Sequence, residues 1–582
     1  MRPMPNRPTV LLLALLMSAC SGGANDENGG ESPRKPTGST PSHPGQPRSP
    51  TATINSVVAC ERPALVKSSD SLCAVRAEGG GKPIIFRGSV LAGATLFERG
   101  EVVVQDDKIV CAECDCSPAP GYASAKVIEC ADGVISPALI NSHDHVDFGM
   151  SPPIARGPER YEHRHDWRIG GRRHNNHTKI RAKSSRVIND ILGTEMRFVL
   201  GGAASTITSS GERGLLRNLA YAQNGDQTEG LPISPGKFDT FPLGDAKGFE
   251  LATGCSYGSR MALAAKVLRF DSYFPHMAEG VSASAANEVR CLSTDVHDLI
   301  ASKTAIIHAV AITGAEAAMI ANRGAKVIWS PRSNISLYGD TAPVTLLKQS
   351  QVLISLGTDW LPSGSMNLLR ELKCADSLNQ KYYDHAFNDF ELWQMVTSNS
   401  AEAAAAGKFI GTLASGYFAD LAIFNGSVHH GYRAVIEAGV EDVALVMRGG
   451  AVLYGDDAIV KSLAAGECEA ASICGVEKRV CVDANGVKYS DLTAAAAGRY
   501  SLFACRDEIP ANEPSCTPFR DSYPNGTAAD DRDGDGIVDA QDNCPAIFNP
   551  IRVLDSGKQA DVDADGIGDA CDVCPLSATN AC

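Results

Sequence analysis

Between residues 136 and 406, short runs of β-branched residues alternate with Ala-rich stretches, and that alternation leaves few folds open to the chain. Thr304–His308, Lys326–Trp329 and Val352–Leu356 read as strands, whereas Ala315–Asn322 and Phe390–Ala406 read as helices. Strands separated by helices in this way pair in parallel, because each crossover helix carries the chain back to the same end of the sheet. Roughly 270 residues of the pattern fit an α/β fold of the (β/α)8 TIM type, an eight-fold barrel.

The flanking segments obey other periods. Within 56–135, apolar runs such as Pro83–Phe86, Glu101–Val104 and Lys108–Cys111 are cut by turn residues, which predicts a small β unit. Strand-like runs return within 407–465 at Asp420–Phe424, Val443–Arg448 and Ala451–Tyr454. Five cysteines from Cys468 to Cys516 predict a small disulfide-held module over 466–525. Residues 20–55 are rich in Gly, Ser, Pro and Asn and cannot bury enough apolar surface to fold, so they are expected to be a linker. Ahead of them, Arg2 and Arg7 precede the apolar run Val10–Met17, too short for a membrane span, and 1–19 reads as a signal peptide. Met17-Ser18-Ala19-Cys20 resembles a bacterial lipobox. That resemblance implies a lipid on Cys20, contact with a membrane through this anchor only, and a place in the cell envelope. Because Ser21 is not Asp, the outer membrane is the expected address. The 19 cysteines suit an exported protein. A net charge of −15 argues against a nucleic-acid partner, which would need clustered Lys and Arg.

Four polar signals fall where apolar strands end, the place where barrel enzymes build their sites. His143 and His145, at i and i+2 on a strand, project from one face and can reach one ion. His276 follows Ser272–Pro275, with Glu279 about one turn away as a group able to hold a proton. His308 ends Ala305–Ile307, and Asp359 ends Val352–Leu356 within Gly357-Thr358-Asp359. Three imidazoles and one carboxylate make a first shell for zinc or iron with a position left for water.

The run Gly133–His145 resembles the segment that opens the barrel in the amidohydrolase superfamily. Ser330-Pro331-Arg332-Ser333-Asn334 and Leu356-Gly357-Thr358-Asp359 are similar to the later strands of its deaminase and chlorohydrolase branch. Thr397–Ala401, Gly411–Leu413 and Gly416–Leu421 resemble the family's exit into its β-sandwich. The resemblance covers roughly residues 85 to 455 and implies a composite β-sandwich beside the barrel. It implies one Zn2+ or Fe2+ on His143, His145, His276 and Asp359, with Glu279 moving a proton to a substrate nitrogen. His308 then orients the water, Asp359 also serves as base, and Arg332, Ser333 and Asn334 lie toward the substrate. No Lys at a strand end offers a bridge between two metals. Around Arg156–Arg186 the chain departs from the family pattern. His163, His165, His174 and His177 stand there among many Arg and Lys residues, a setting that opposes a second cation and predicts a solvated loop or a lid.

Asp531, Asp533, Asp535, Ile537, Asp539 and Asp542 occupy positions 1, 3, 5, 7, 9 and 12 of a calcium loop, with Gly536 at position 6. Asp561, Asp563, Asp565, Ile567, Asp569 and Asp572 repeat the spacing. The intervening Asn543-Cys544-Pro545 and Cys571-Asp572-Val573-Cys574-Pro575 make 526–582 resemble thrombospondin type 3 repeats, which implies bound Ca2+ and room for a calcium-dependent surface contact. The expected activity is hydrolysis of a carbon–nitrogen bond in a small molecule, first of all deamination of a heterocycle or amine. Cyclic-amide hydrolysis, dehalogenation and a silent surface adhesin are the alternatives.

Overall fold

The computed structural model describes residues 56–68, 71–155, 157–170, 177–220, 227–464, 466–482 and 486–580. The expected signal peptide, Cys20, the linker and His174 lie outside the described residues.

Eight parallel strands follow one another in chain order: Leu139–Asp144, Ala203–Thr208, Arg217–Asn218, Lys237–Asp239, Tyr273–Met277, Ala305–His308, Lys326–Trp329 and Leu353–Leu356. A single parallel bridge, Ala220 to Gly236, joins the third strand to the fourth. The last strand returns to the first through Asp359 N–H, which donates to the His143 carbonyl at 3.0 Å. Their residues are almost wholly buried, as parallel strands covered on both faces require. The helix Gly314–Asn322 opens on a capping box between Thr313 and Glu316, which satisfies the first free N–H groups.

The continuous helix expected over Phe390–Ala406 is broken into Asp389–Gln394 and Ser398–Ala403. Between them, the carbonyls of Met395 and Val396 accept from Leu356 N–H at 2.8 Å and Ile140 N–H at 2.9 Å. These carbonyls leave the helix to satisfy the last and first strands, and a periodicity argument cannot see that demand.

The two β segments share one sheet. Lys126–Pro137, entering the barrel, pairs antiparallel with Leu421–Asn425, leaving it, and sets Ile135 opposite Ile423. Phe86, Ile135, Ile423 and Leu445 are buried in one apolar cluster. The Cys-rich segment expected over 466–525 is disulfide-held, and it joins this sheet. Its hairpin, Glu469–Ile473 and Val476–Val480, pairs with Ala451–Asp456 and covers what would otherwise be an open edge. Disulfides Cys468–Cys481 and Cys474–Cys505 close it, and Cys374–Cys516 ties its far end to the helix Leu368–Tyr382. Eight disulfides are formed among the described residues.

The Asp-rich C-terminal segment lies against the barrel loops. Phe519 N–H donates to the Gly339 carbonyl at 3.0 Å, Phe548 N–H to Tyr382 at 2.8 Å and Leu554 N–H to Val281 at 3.2 Å. The half-buried Arg552 guanidinium donates to the carbonyls of Ile312 at 2.9 Å and Val310 at 3.4 Å.

Candidate functional site

The strand ends bring together the residues singled out by their spacing. His143 Nε2 lies 3.3 Å from His145 Nε2, which is 3.4 Å from His276 Nε2. Asp359 Oδ1 stands 3.6 Å from the His143 nitrogen and 3.8 Å from that of His145. Donor atoms about 3.4 Å apart form the edges of a tetrahedron around an ion about 2.1 Å from each, the reach of zinc to imidazole. His276 Nδ1 sits 3.2 Å from the Asp239 carbonyl; a carbonyl only accepts, so Nδ1 holds the ring proton and Nε2 presents its lone pair. Burial and the neighbouring imidazoles push His143 and His276 well below the ordinary histidine range, and His145 falls to about 3. The rings therefore stay neutral, the form that binds a metal. The four residues fit one zinc or iron ion.

Close approach sets this geometry. A Cβ on Gly357 would meet His143 Cβ at 2.5 Å, so the last strand can reach the first only with glycine there. Thr358 locks the join: its N–H donates to Asn141 Oδ1 at 3.0 Å and its hydroxyl to the buried Asp144 at 2.7 Å. His308 (φ 75°) and Asp359 (φ 56°) both occupy the left-handed region, a cost of order 1–3 kcal/mol each that the surrounding bonds must hold in place.

Glu279 and His308 face each other, with Oε2 to Nε2 at 3.6 Å. Burial raises Glu279 to about 7 against the opposing pull of Arg164, so it carries a proton at neutral pH far more readily than an exposed glutamate. Burial raises Asp359 to about 6, with His308 opposing. Ser333 hydroxyl donates to Asp359 Oδ2 at 2.6 Å, and Asn334 Oδ1 meets His308 Nδ1 at 3.1 Å. Ser333 and Asn334, expected toward the substrate, thus hold Asp359 and His308. Arg332, expected there too, turns away: its guanidinium bonds Ser365, the Pro514 and Arg370 carbonyls, and Glu513. The helix Pro331–Tyr338 begins just after its strand, and that turn sends Arg332 outward.

Above these groups opens a cavity of about 310 Å³, walled by Phe148, Trp167, Phe241 and Trp360, with Asp147 and Arg168 also reaching it. The segment around His163 is a correction to the expected solvated loop. His163, Arg164 and His165 are buried. Arg164 donates to Asp245 at 2.6 Å, lies 3.2 Å from Glu288, and bonds the Thr240 carbonyl at 3.0 Å. His165 Nε2 lies 2.9 Å from Asp245, and His163 Nε2 lies 3.1 Å from Glu288. Glu288 also accepts from Ala278 N–H at 2.9 Å, which fixes the turn between His276 and Glu279. The basic density that suggested solvent is cancelled by carboxylates distant in sequence. Burial pushes Asp245 up, but Arg164 and His165 outweigh it and hold it below the usual range.

In the C-terminal segment, Asp531, Asp533 and Asp535 converge, as do Asp561, Asp563 and Asp565. Oxygens of Asp533, Asp542, Asp561 and Asp563 are buried with no hydrogen-bond partner among the described residues, a demand that calcium meets. Burial, with the neighbouring aspartates adding to it, raises Asp533 to about 8 and Asp535 to about 7. Asp542 accepts from Gln559 at 2.7 Å, which also donates to Asp535 at 3.0 Å. Asp539 is turned to Arg532 at 2.7 Å, and Asp569 accepts from the Gly314 N–H of the barrel at 3.4 Å. Asp572 is buried and accepts from Cys574 N–H at 2.7 Å. The N–H groups of Ile537 and Ile567 bond the fifth-position aspartates, each at 2.8 Å.

Residues 276–453 match the family model described as "Amidohydrolase family", and 529–552 and 559–581 match "Thrombospondin type 3 repeat". A 5-methylthioadenosine/S-adenosylhomocysteine deaminase of Thermococcus kodakarensis is 24% identical over 366 residues, 59% of this chain and 85% of that protein. A 5'-deoxyadenosine deaminase of Methanothermobacter thermautotrophicus is 23% identical over 371 residues, 59% of this chain and 84% of its own. The match with the Clostridium tetani 5-methylthioadenosine/S-adenosylhomocysteine deaminase, 27% identical, covers 24% of this chain and spans only 33% of that relative. A solved adenosine deaminase from Xanthomonas campestris is similar at a TM-score of 0.45 and 16% identity, covering 71% of this chain and 96% of its own. The match over 276–453 falls on the stretch that carries His276, Glu279, His308 and Asp359, and the two thrombospondin type 3 repeat matches follow it in the C-terminal segment.

Proposed function

We propose that the protein is a single-metal deaminase of small aminated heterocycles, with adenine nucleosides and their 5'-modified forms as the first class to test. The observation that carries this reading is Glu279, a buried carboxyl raised to about 7 beside His308 and the His/His/His/Asp cluster. The aromatic walls of the cavity suit a flat ring, and the curated relatives named above are adenosine-type deaminases.

Bound zinc or iron would supply a water acidified toward neutral pH. His143, His145, His276 and Asp359 would hold the ion. Asp359 takes the proton of the attacking water, and His308 Nε2, kept as an acceptor by Asn334, orients that water. Glu279 gives its proton to the ring nitrogen next to the carbon under attack. As the C–N bond breaks, the proton collected by Asp359 leaves with the amine as ammonia, and the proton remaining on the new hydroxyl passes to Glu279 as the C=O forms, which restores the starting state. Ammonia release from adenosine, 5'-deoxyadenosine and 5-methylthioadenosine by the zinc-loaded protein tests the reading. Glu279→Gln should abolish release while zinc stays bound; release by that variant at the wild-type rate would refute the proton route.

The exported, lipid-anchored state belongs to the same proposal. The eight disulfides support an oxidising compartment, and Cys20 supplies the site of lipidation. Calcium is the cation proposed for the two aspartate clusters. Incorporation of labelled palmitate into the wild type but not into Cys20→Ser is the result expected for the anchor.

A further inference from the structure

Tyr338 closes the helix Pro331–Tyr338 and is fully buried, yet it does not line the cavity. Its hydroxyl donates to Glu279 Oε1 at 2.8 Å. The same hydroxyl accepts from Trp167 Nε1–H at 2.9 Å. An indole N–H only donates, so it must use the acceptor side of the phenol and directs the single phenolic proton at Glu279. Oε1 is therefore always an acceptor, and a proton carried by Glu279 resides on Oε2, the oxygen that faces His308 at 3.6 Å.

We propose that Tyr338 is a positioning residue that selects Oε2 of Glu279 as the proton-carrying atom. This rests on the reading of Glu279 as the proton donor. The phenol is well placed for the task because it keeps its proton: burial, with Glu279 beside it, raises it well above the tyrosine range. Its backbone is fixed from two sides. Arg520 donates to the carbonyls of Tyr338 at 2.6 Å and Tyr161 at 3.2 Å, and Tyr161 N–H donates to Leu337 at 2.8 Å. Gly339, at φ 74°, allows Phe519 to approach; a Cβ there would meet the Phe519 carbonyl at 2.0 Å. Without the Tyr338 hydroxyl, either oxygen of Glu279 can hold the proton, and half of those arrangements aim it away from the substrate.

The test is Tyr338→Phe in the full-length, zinc-loaded protein, read by steady-state kinetics and by infrared spectroscopy. A kcat about tenfold lower is expected, a fraction of what a general acid contributes, with KM within about twofold and zinc content unchanged. In the infrared spectrum, the carbonyl band of protonated Glu279 is identified by its loss in Glu279→Gln. In Tyr338→Phe that band should move to higher frequency as its hydrogen bond is lost. A band that stays in place, or an undiminished kcat on an active substrate, overturns the proposal. If no tested substrate is turned over, the deaminase reading fails, while the infrared arm still decides whether Tyr338 orders Glu279. Should Tyr338→Phe not fold, Trp167→Phe removes the donor to the phenol; a shifted Glu279 band supports the proposal and an unmoved one refutes it.

Discussion

Asn334 and His308 meet side chain to side chain, with Asn334 Oδ1 3.1 Å from His308 Nδ1. The Asn334 amide nitrogen is directed to Thr341 Oγ1 at 3.3 Å, so its oxygen faces the ring and accepts the Nδ1 proton. His308 Nε2 is left as a lone pair toward the cavity. Asn334→Leu removes this control of the tautomer, and kcat should fall about tenfold or more with bound zinc unchanged. Equal kcat in the variant would mean that His308 is oriented by other contacts.

The buried Glu195 gives a pH dependence of stability separate from catalysis. Burial raises it to about 8 from 4.5, although the N–H groups of Glu212 and Leu216 donate to it at 2.8 and 3.3 Å. A carboxyl with a raised folded value binds its proton in the native state before the unfolded chain does. Stability therefore falls as pH climbs from about 4.5 to 8 and levels off above that. Glu195→Gln should flatten this slope and gain about 3 kcal/mol over the wild type at pH 8. Parallel urea-unfolding curves of the two proteins across that range would contradict it.

Calcium removal should be felt at the active site. The C-terminal repeats bond Val281, two residues beyond Glu279, and the carbonyls of Val310 and Ile312 just beyond His308, while Phe519, just ahead of the repeats, bonds Gly339 beside Tyr338. With a chelator present, the amides of Gly314, Leu554 and Phe519 should exchange roughly tenfold faster, and ammonia release should fall. Exchange unchanged by the chelator would mean that the repeats keep their fold and their grip without the ion.

The convergence of His143, His145, His276, His308 and Asp359 was legible in the sequence because each sits at a strand end in a short, regular pattern. His143 and His145 share a face by the two-residue period, and the calcium spacing of Asp531–Asp542 recurs at Asp561–Asp572. The composite sheet followed from the family resemblance. What escaped was everything fixed by partners far along the chain. Arg164 reads as surface charge until Asp245 and Glu288 are brought against it, 81 and 124 positions later. Tyr338 carries no local signal, since its role depends on Glu279 and Trp167 meeting it in space. The 142-residue span from Cys374 to Cys516 hid the strap that ties the Cys-rich segment to the helix Leu368–Tyr382.

The cover over the barrel loops bears on how the molecule can be divided. A fragment ending near residue 525, trimmed of its repeats for convenience, would retain every side chain of the candidate site. It would nonetheless leave the Val310 and Ile312 carbonyls without the Arg552 donor, and the floor under Phe548 and Leu554 bare. The smallest unit that keeps the barrel loops covered therefore extends past the candidate site, and the repeats serve it as masonry.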